Sequence, residues 1–157
     1  MMIKKTTIHL LFSFFVFVNV EHIALAQEIS KDTSRCETEL SYYTIEEALN
    51  EKSDAIKLDI AMNKLTSIDP KIGELTNLEC LDLSFNKFSN LPNEIANLKK
   101  LRILDLKGTR YLPSLPKIIQ ELPSLQLLDL RNHPEWTKEK FEEAVNMLPN
   151  TIVLVDK

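Results

Sequence analysis

Residues 78–100 read LECLDLSFNKFSNLPNEIANLKK, and residues 101–124 read LRILDLKGTRYLPSLPKIIQELPS. Aligned from their first leucines, the two stretches share one frame. It extends back to AIKLDIAMNKLTSIDPKIGELTN from Ala55 and forward to LQLLDLRNHPEW from Leu125. Four units therefore begin at residues 55, 78, 101 and 125. Within each, an L-x-L pair alternates with the period of a strand: Leu58/Ile60, Leu81/Leu83, Leu104/Leu106 and Leu128/Leu130. In the second half, Leu91, Ile95 and Leu98 stand at helical offsets. One strand and one helical turn cannot bury their own apolar edge. Stacked on copies of itself, each unit contributes to a continuous row of leucines.

The pattern L-x-x-L-x-L-x-x-N with a following L-P-x-x-I resembles the leucine-rich-repeat family in its 23-residue form, as found in exported bacterial proteins. The resemblance covers roughly residues 55–155. It implies an α/β solenoid, with a curved parallel sheet on the concave side and short helical turns on the convex side. It also implies protein recognition rather than catalysis. In the family's asparagine position stand Asn63 and Asn86, then Thr109 and His133. Histidine matches poorly there, so the side-chain ladder is expected to weaken toward the carboxyl end. With only Gly73 and Gly108 in the whole chain, the units are expected to reverse direction without left-handed turns.

Open solenoid ends need polar covers. Thr44-Ile45-Glu46-Glu47 has the form of a capping box and predicts a cap helix over residues 44–52. A closing helix is expected over 137–148, with Phe141, Ala144, Val145 and Leu148 toward the core, Trp136 beneath it, and a last strand at 151–155. The repeat domain thus runs from 44 to 157, preceded by a polar segment at 27–43.

The first 26 residues differ in kind. Lys4 and Lys5 precede an apolar run from Ile8 to Val18, then a short polar stretch and Ala24-Leu25-Ala26. This order predicts a secretory signal peptide cleaved after Ala26. The apolar run is too short for a membrane-spanning helix, which needs about 20 residues, so no stable membrane insertion is expected after cleavage. The chain of 157 residues carries a formal charge of −4; removing residues 1–26 takes away Lys4, Lys5 and Glu21 and leaves it one charge more negative. An acidic chain offers no electrostatic footprint for nucleic acid. Two glycines 35 positions apart cannot write a phosphate-binding loop or a dinucleotide fingerprint, so no such cofactor is expected.

The frame places Lys57, Cys80, Ile103, Leu127 and Val153 in one outward row, Asp59, Asp82, Asp105, Asp129 and Val155 in a second, and Ala61, Ser84, Lys107 and Arg131 in a third. A column of four aspartates has the ligand type of a hard-cation site or the carboxylates of acid–base catalysis. Lys107 and Arg131 stand beside Asp105 and Asp129 to neutralise them, and L-D-L is the ordinary spelling of this strand in the family. No metal and no catalytic residue are expected. The apolar strip Ile103, Leu127 and Val153, rimmed by charge, is the candidate partner-binding surface. Its candidate residues are Phe85, Arg102, Ile103, Asp105, Lys107, Leu127, Asp129 and Arg131, with Met62 at the same rim as Phe85.

An exported chain with two cysteines allows a Cys36–Cys80 disulfide, provided residues 36–43 fold over the first edge of the sheet. The cluster His133-Pro134-Glu135-Trp136 gathers chemical side chains but has no Ser or Cys nucleophile beside it, and reads as a loop where the repeat leaves its frame. Two functions follow as expectations: a non-catalytic exported module that binds a protein partner, or a passive envelope or matrix component whose repeats serve assembly or adhesion to glycans.

Overall fold

The computed structural model describes residues 36–51 and 55–156. The expected signal peptide and the first part of the polar segment lie outside the described residues. Six strands form one sheet in sequence order: β1 (Ser41–Tyr42), β2 (Lys57–Asp59), β3 (Cys80–Asp82), β4 (Ile103–Asp105), β5 (Leu127–Asp129) and β6 (Ile152–Leu154). Every neighbouring pair is parallel. Leu58, Leu81, Leu104 and Leu128 stand in register and are buried to within about 1% of their surface, which is the stacked leucine row. Parallel strands require a crossover, and each here returns through one tight 3₁₀ turn. These turns are Pro70–Glu74, Asn93–Asn97 and Lys117–Glu121.

The turns form for local reasons. Proline opens each one: Pro70 is its first residue, whereas Pro92 and Pro116 immediately precede theirs. Proline fixes φ and has no amide proton to leave unpaired. Asp69 adds a side-chain acceptor for the Lys71 amide at 2.9 Å. Ile72, Ile95 and Ile119 then point inward and are fully buried. Gly73 permits the close stacking of the first turn on the second: a Cβ there would lie 2.5 Å from the Glu94 carbonyl oxygen.

Helices α1 (Ile45–Asn50) and α2 (Lys138–Met147) flank the repeats. Thr44 Oγ1 accepts the Glu47 amide at 3.1 Å as the N-cap, while Glu47 Oε2 accepts the amide of Tyr43, the residue before the cap, at 3.2 Å. In α2, Ala144 is buried and Phe141 packs against the core, but Val145, expected inside, is 43% exposed. Trp136 is buried beneath α2, with its ring 5.4 Å from that of Phe141, and its indole N–H donates to the Leu112 carbonyl at 2.7 Å. It fills the interior place that Phe88 and Leu112 take in the preceding units. The extra residue of the 24-residue unit falls just before Leu112 and leaves Tyr111 outside.

Three further expectations need correction. The ladder carries fewer bonds toward the carboxyl end, but the histidine there belongs to it rather than standing as a mismatch. Asn86 Nδ2 donates to the carbonyls of Ile60 (2.8 Å) and Leu83 (2.9 Å), and its Oδ1 accepts the Leu65 amide at 3.0 Å. His133, 1% exposed, takes part with two bonds: Nδ1 donates to the Leu130 carbonyl at 2.9 Å, and Nε2 meets the Thr109 hydroxyl at 2.9 Å. Asn63, in the first unit, is exposed instead. Left-handed backbone is also present in every unit, at Met62, Phe85, Gly108 and Asn132, each with φ between 54° and 66°. Finally, β6 is offset by one residue. Ile152 pairs with Leu127 and Leu154 with Asp129, so Val153 and Val155 pack toward the core rather than the concave face.

Candidate functional site

The concave face is built by the strands and the two residues after each. In the row Asp59, Asp82, Asp105 and Asp129, every carboxylate accepts the backbone amide two residues on, at 2.8–3.2 Å. This local bond ends each strand and satisfies an amide that the ladder leaves free. The aspartate column is thereby explained by the backbone. Among the described residues, no group of three or more His, Cys, Asp and Glu is arranged to hold a metal ion.

Asp105 and Asp129 are shifted in opposite directions. Burial, reinforced by the neighbouring Asp82 and Asp129, pushes Asp105 up to about 6 against the opposing Lys107 amide bond and charge. Burial acts in the same direction on Asp129, but hydrogen bonds from the Arg131 side chain and amide outweigh it and hold that carboxyl below its ordinary value. The Arg131 Nε lies 3.0 and 3.1 Å from the two carboxylate oxygens. His133 is pushed below its ordinary value by burial, which leaves it neutral within the ladder.

The candidate residues divide into three places. Ile103 and Leu127 are adjacent and half-buried; with Ile152, which the sequence frame missed, they make the apolar row. Asp105, Lys107, Asp129 and Arg131 flank that row on one side. Phe85 lies on the rim beyond them, with Lys107 Nζ 5.8 Å from its ring centre. Arg102 stands at the opposite edge of the sheet. It is held between Glu79 (3.3 Å) and Gln126 (3.1 Å), so its guanidinium serves the stack. Cys80, in the same row as Ile103, is bonded to Cys36 across a Cα separation of 6.0 Å and is buried. Sequence spacing alone left that pairing open. The tether covers the amino-terminal end of the face and leaves the Ile103–Leu127–Ile152 end open.

The family profile for leucine-rich repeats matches residues 56–110. A solved leucine-rich-repeat protein of Leptospira interrogans superposes with a TM-score of 0.59 at 32% identity, over 73% of this chain and 28% of that one. Residues 56–110 are leucine-rich repeats. The fold of the chain is a leucine-rich-repeat solenoid, an architecture that generally serves protein interaction without catalysis. The chain spans little more than a quarter of that relative's length. No curated protein matches it. Among the described residues no helix is long and apolar enough to cross a membrane.

Proposed function

We propose that this protein is an exported, non-catalytic recognition module that binds another protein through the carboxyl-terminal half of its concave face and the adjoining rim. One observation carries the reading: the half-exposed apolar row Ile103, Leu127 and Ile152 runs across three strands, bordered by Asp105, Lys107 and the Arg131–Asp129 pair. An apolar strip with a charged border supplies both the desolvating centre and the orienting rim that protein recognition uses. Phe85 adds an aromatic anchor, 38% exposed, at one side. Export is supported by the amino-terminal sequence and agrees with a disulfide, which persists in oxidising compartments.

The test is crosslinking of the protein in its native compartment, identification of the captured partner, and measurement of its binding to Ile103→Ser/Leu127→Ser and Phe85→Ser variants. Loss of binding with an unchanged melting transition supports the reading; unchanged binding by folded variants overturns it. Retention only on polysaccharide fractions favours the glycan-adhesion alternative. A mature amino terminus at Gln27 is the expected result for export, read by mass spectrometry.

A further inference from the structure

Each unit carries the chain from the concave rim to its convex turn along one flank of the solenoid. In the first three units this connection is residues 63–68, 86–92 and 109–116, which contain Lys64, Lys87 and Arg110 and no acidic residue. The three cations hold one place, directly after the ladder position occupied by Asn63, Asn86 and Thr109. Asn86 and Thr109 are buried, whereas Lys64, Lys87 and Arg110 stand exposed outside them. None of the three cations is ion-paired with another described residue. The Lys87 amide donates to the Leu65 carbonyl at 2.8 Å, which lays the second unit's connection directly on the first.

Exposed apolar surface lies beside the cations. Met62 and Phe85 stand on the rim two residues before Lys64 and Lys87, and Tyr111, put outside by the extra residue of its unit, follows Arg110. The Phe85 ring has Lys107 Nζ 5.8 Å from its centre, so a fourth cation is held at the rim. A chain whose formal charge is −4 thus presents one flank that is cationic and partly apolar.

We propose that this flank is a second docking surface and takes an acidic segment of a partner protein, with carboxylates over Lys64, Lys87 and Arg110 and an apolar side chain on Met62 and Phe85. Of the residues assigned to the concave site it shares only Phe85. Charge complementarity sets the sign of the occupant, because the cations give up no ion pair to receive it. The layer spacing suits an extended segment. Neighbouring layers are about 4.8 Å apart, so the column spans about 10 Å, and same-side residues of an extended chain recur every ~6.6 Å. Three alternate carboxylates therefore fall within reach of the lysine and arginine arms. The apolar rim favours protein over other polyanions. Thioether and phenyl groups offer sugar hydroxyls and phosphates no hydrogen bond, but they match apolar side chains, methionine by adapting its shape. At long range the acidic chain repels a nucleic acid, whereas a short acidic segment is governed by charges within a Debye length of about 8 Å.

The experiment selects short random peptides, displayed on phage, against the immobilised full chain. Enriched peptides are then titrated by fluorescence anisotropy against folded variants. The expected result is a set rich in Asp and Glu around an apolar residue, binding more weakly as salt is raised. Lys87→Glu with Arg110→Glu replaces two attractions by two repulsions and should weaken these peptides about tenfold or more. Both side chains are exposed, so the melting transition should be unchanged. Ile103→Ser/Leu127→Ser should leave the peptides bound, which separates this surface from the concave one. Acidic peptides lost only with that second variant belong to the concave face and overturn the proposal. So does a selected set without acidic excess, or acidic-peptide binding indifferent to the charge reversal. Binding of heparin or single-stranded DNA with no acidic peptide selected overturns it as well.

Discussion

The ring of Phe85 lies in the space that a side chain on Gly108 would occupy: a Cβ built there would sit 2.6 Å from Phe85 Cδ1. The two residues hold the same left-handed position in successive units, with φ of 54° and 66°. One unit's aromatic ring therefore covers the next unit's missing side chain. Gly108→Ala should cost about 1–2 kcal/mol from the left-handed backbone alone, with a further cost for displacing the ring. In a Phe85→Ala background the ring contribution disappears, so a double-mutant cycle by urea unfolding should show coupling between the two sites. An additive cycle would mean that the ring moves away freely.

Met62 occupies that position in the first unit, at φ 57°, with its side chain 69% exposed. It carries the left-handed strain with little packing in return. Met62→Asn substitutes a residue that tolerates this region. It should stabilise the fold by up to about 1 kcal/mol, seen as a higher denaturation midpoint at constant slope.

Asp105 sets a pH dependence. Its folded pKa, raised to about 6, lies above the ordinary 3.8. The folded state therefore holds the proton more tightly, and the contribution of Asp105 to stability is full below about pH 4 and lost as pH rises to 6. Asp105→Asn keeps an oxygen for the Lys107 amide and does not titrate. Its melting temperature relative to wild type should rise between pH 4 and pH 7 and level off above. A difference independent of pH would contradict the assignment.

The buried ladder makes a matched pair of substitutions informative. Asn86→Ala leaves the Leu65 amide and the Ile60 and Leu83 carbonyls without their side-chain partner. Each buried group left unsatisfied costs about 1–3 kcal/mol. His133→Ala should destabilise by a smaller amount in the same range, because fewer groups are lost. His133→Asn should recover much of that loss by again reaching the Leu130 carbonyl. Circular dichroism melts of the three variants provide the measurement.

The disulfide closes a loop of sequence separation 44. Cys36→Ser with Cys80→Ser should lower stability by about 2–4 kcal/mol through the freer unfolded chain. Intact mass under alkylation, with and without reductant, should differ by two added groups. Equal masses would show both thiols free.

The repeat frame, the positions of β2 to β5, the buried leucine row and the places of α1 and α2 were legible in the residues alone, whereas β1 lies in the segment read as preceding the repeat domain. Each of these is written locally: L-x-L alternation sets which side chains turn inward, and a capping threonine or an opening proline marks where a turn begins. The tertiary structure decided what depends on neighbours one unit away. Left-handed backbone at Met62 and Phe85 is dictated by stacking, which imposes the same chain path on every unit whether or not glycine is present. His133 joins the ladder because the carbonyls and hydroxyl it needs come from Leu130 and Thr109, brought together only when the turns stack. The register of β6 follows pairing with β5 rather than the spacing of a unit already out of frame. That one-residue offset exchanges the faces of Val153 and Ile152, because successive side chains on a strand point to opposite sides. It thereby selects Ile152 for the apolar row and turns Val153 toward the core.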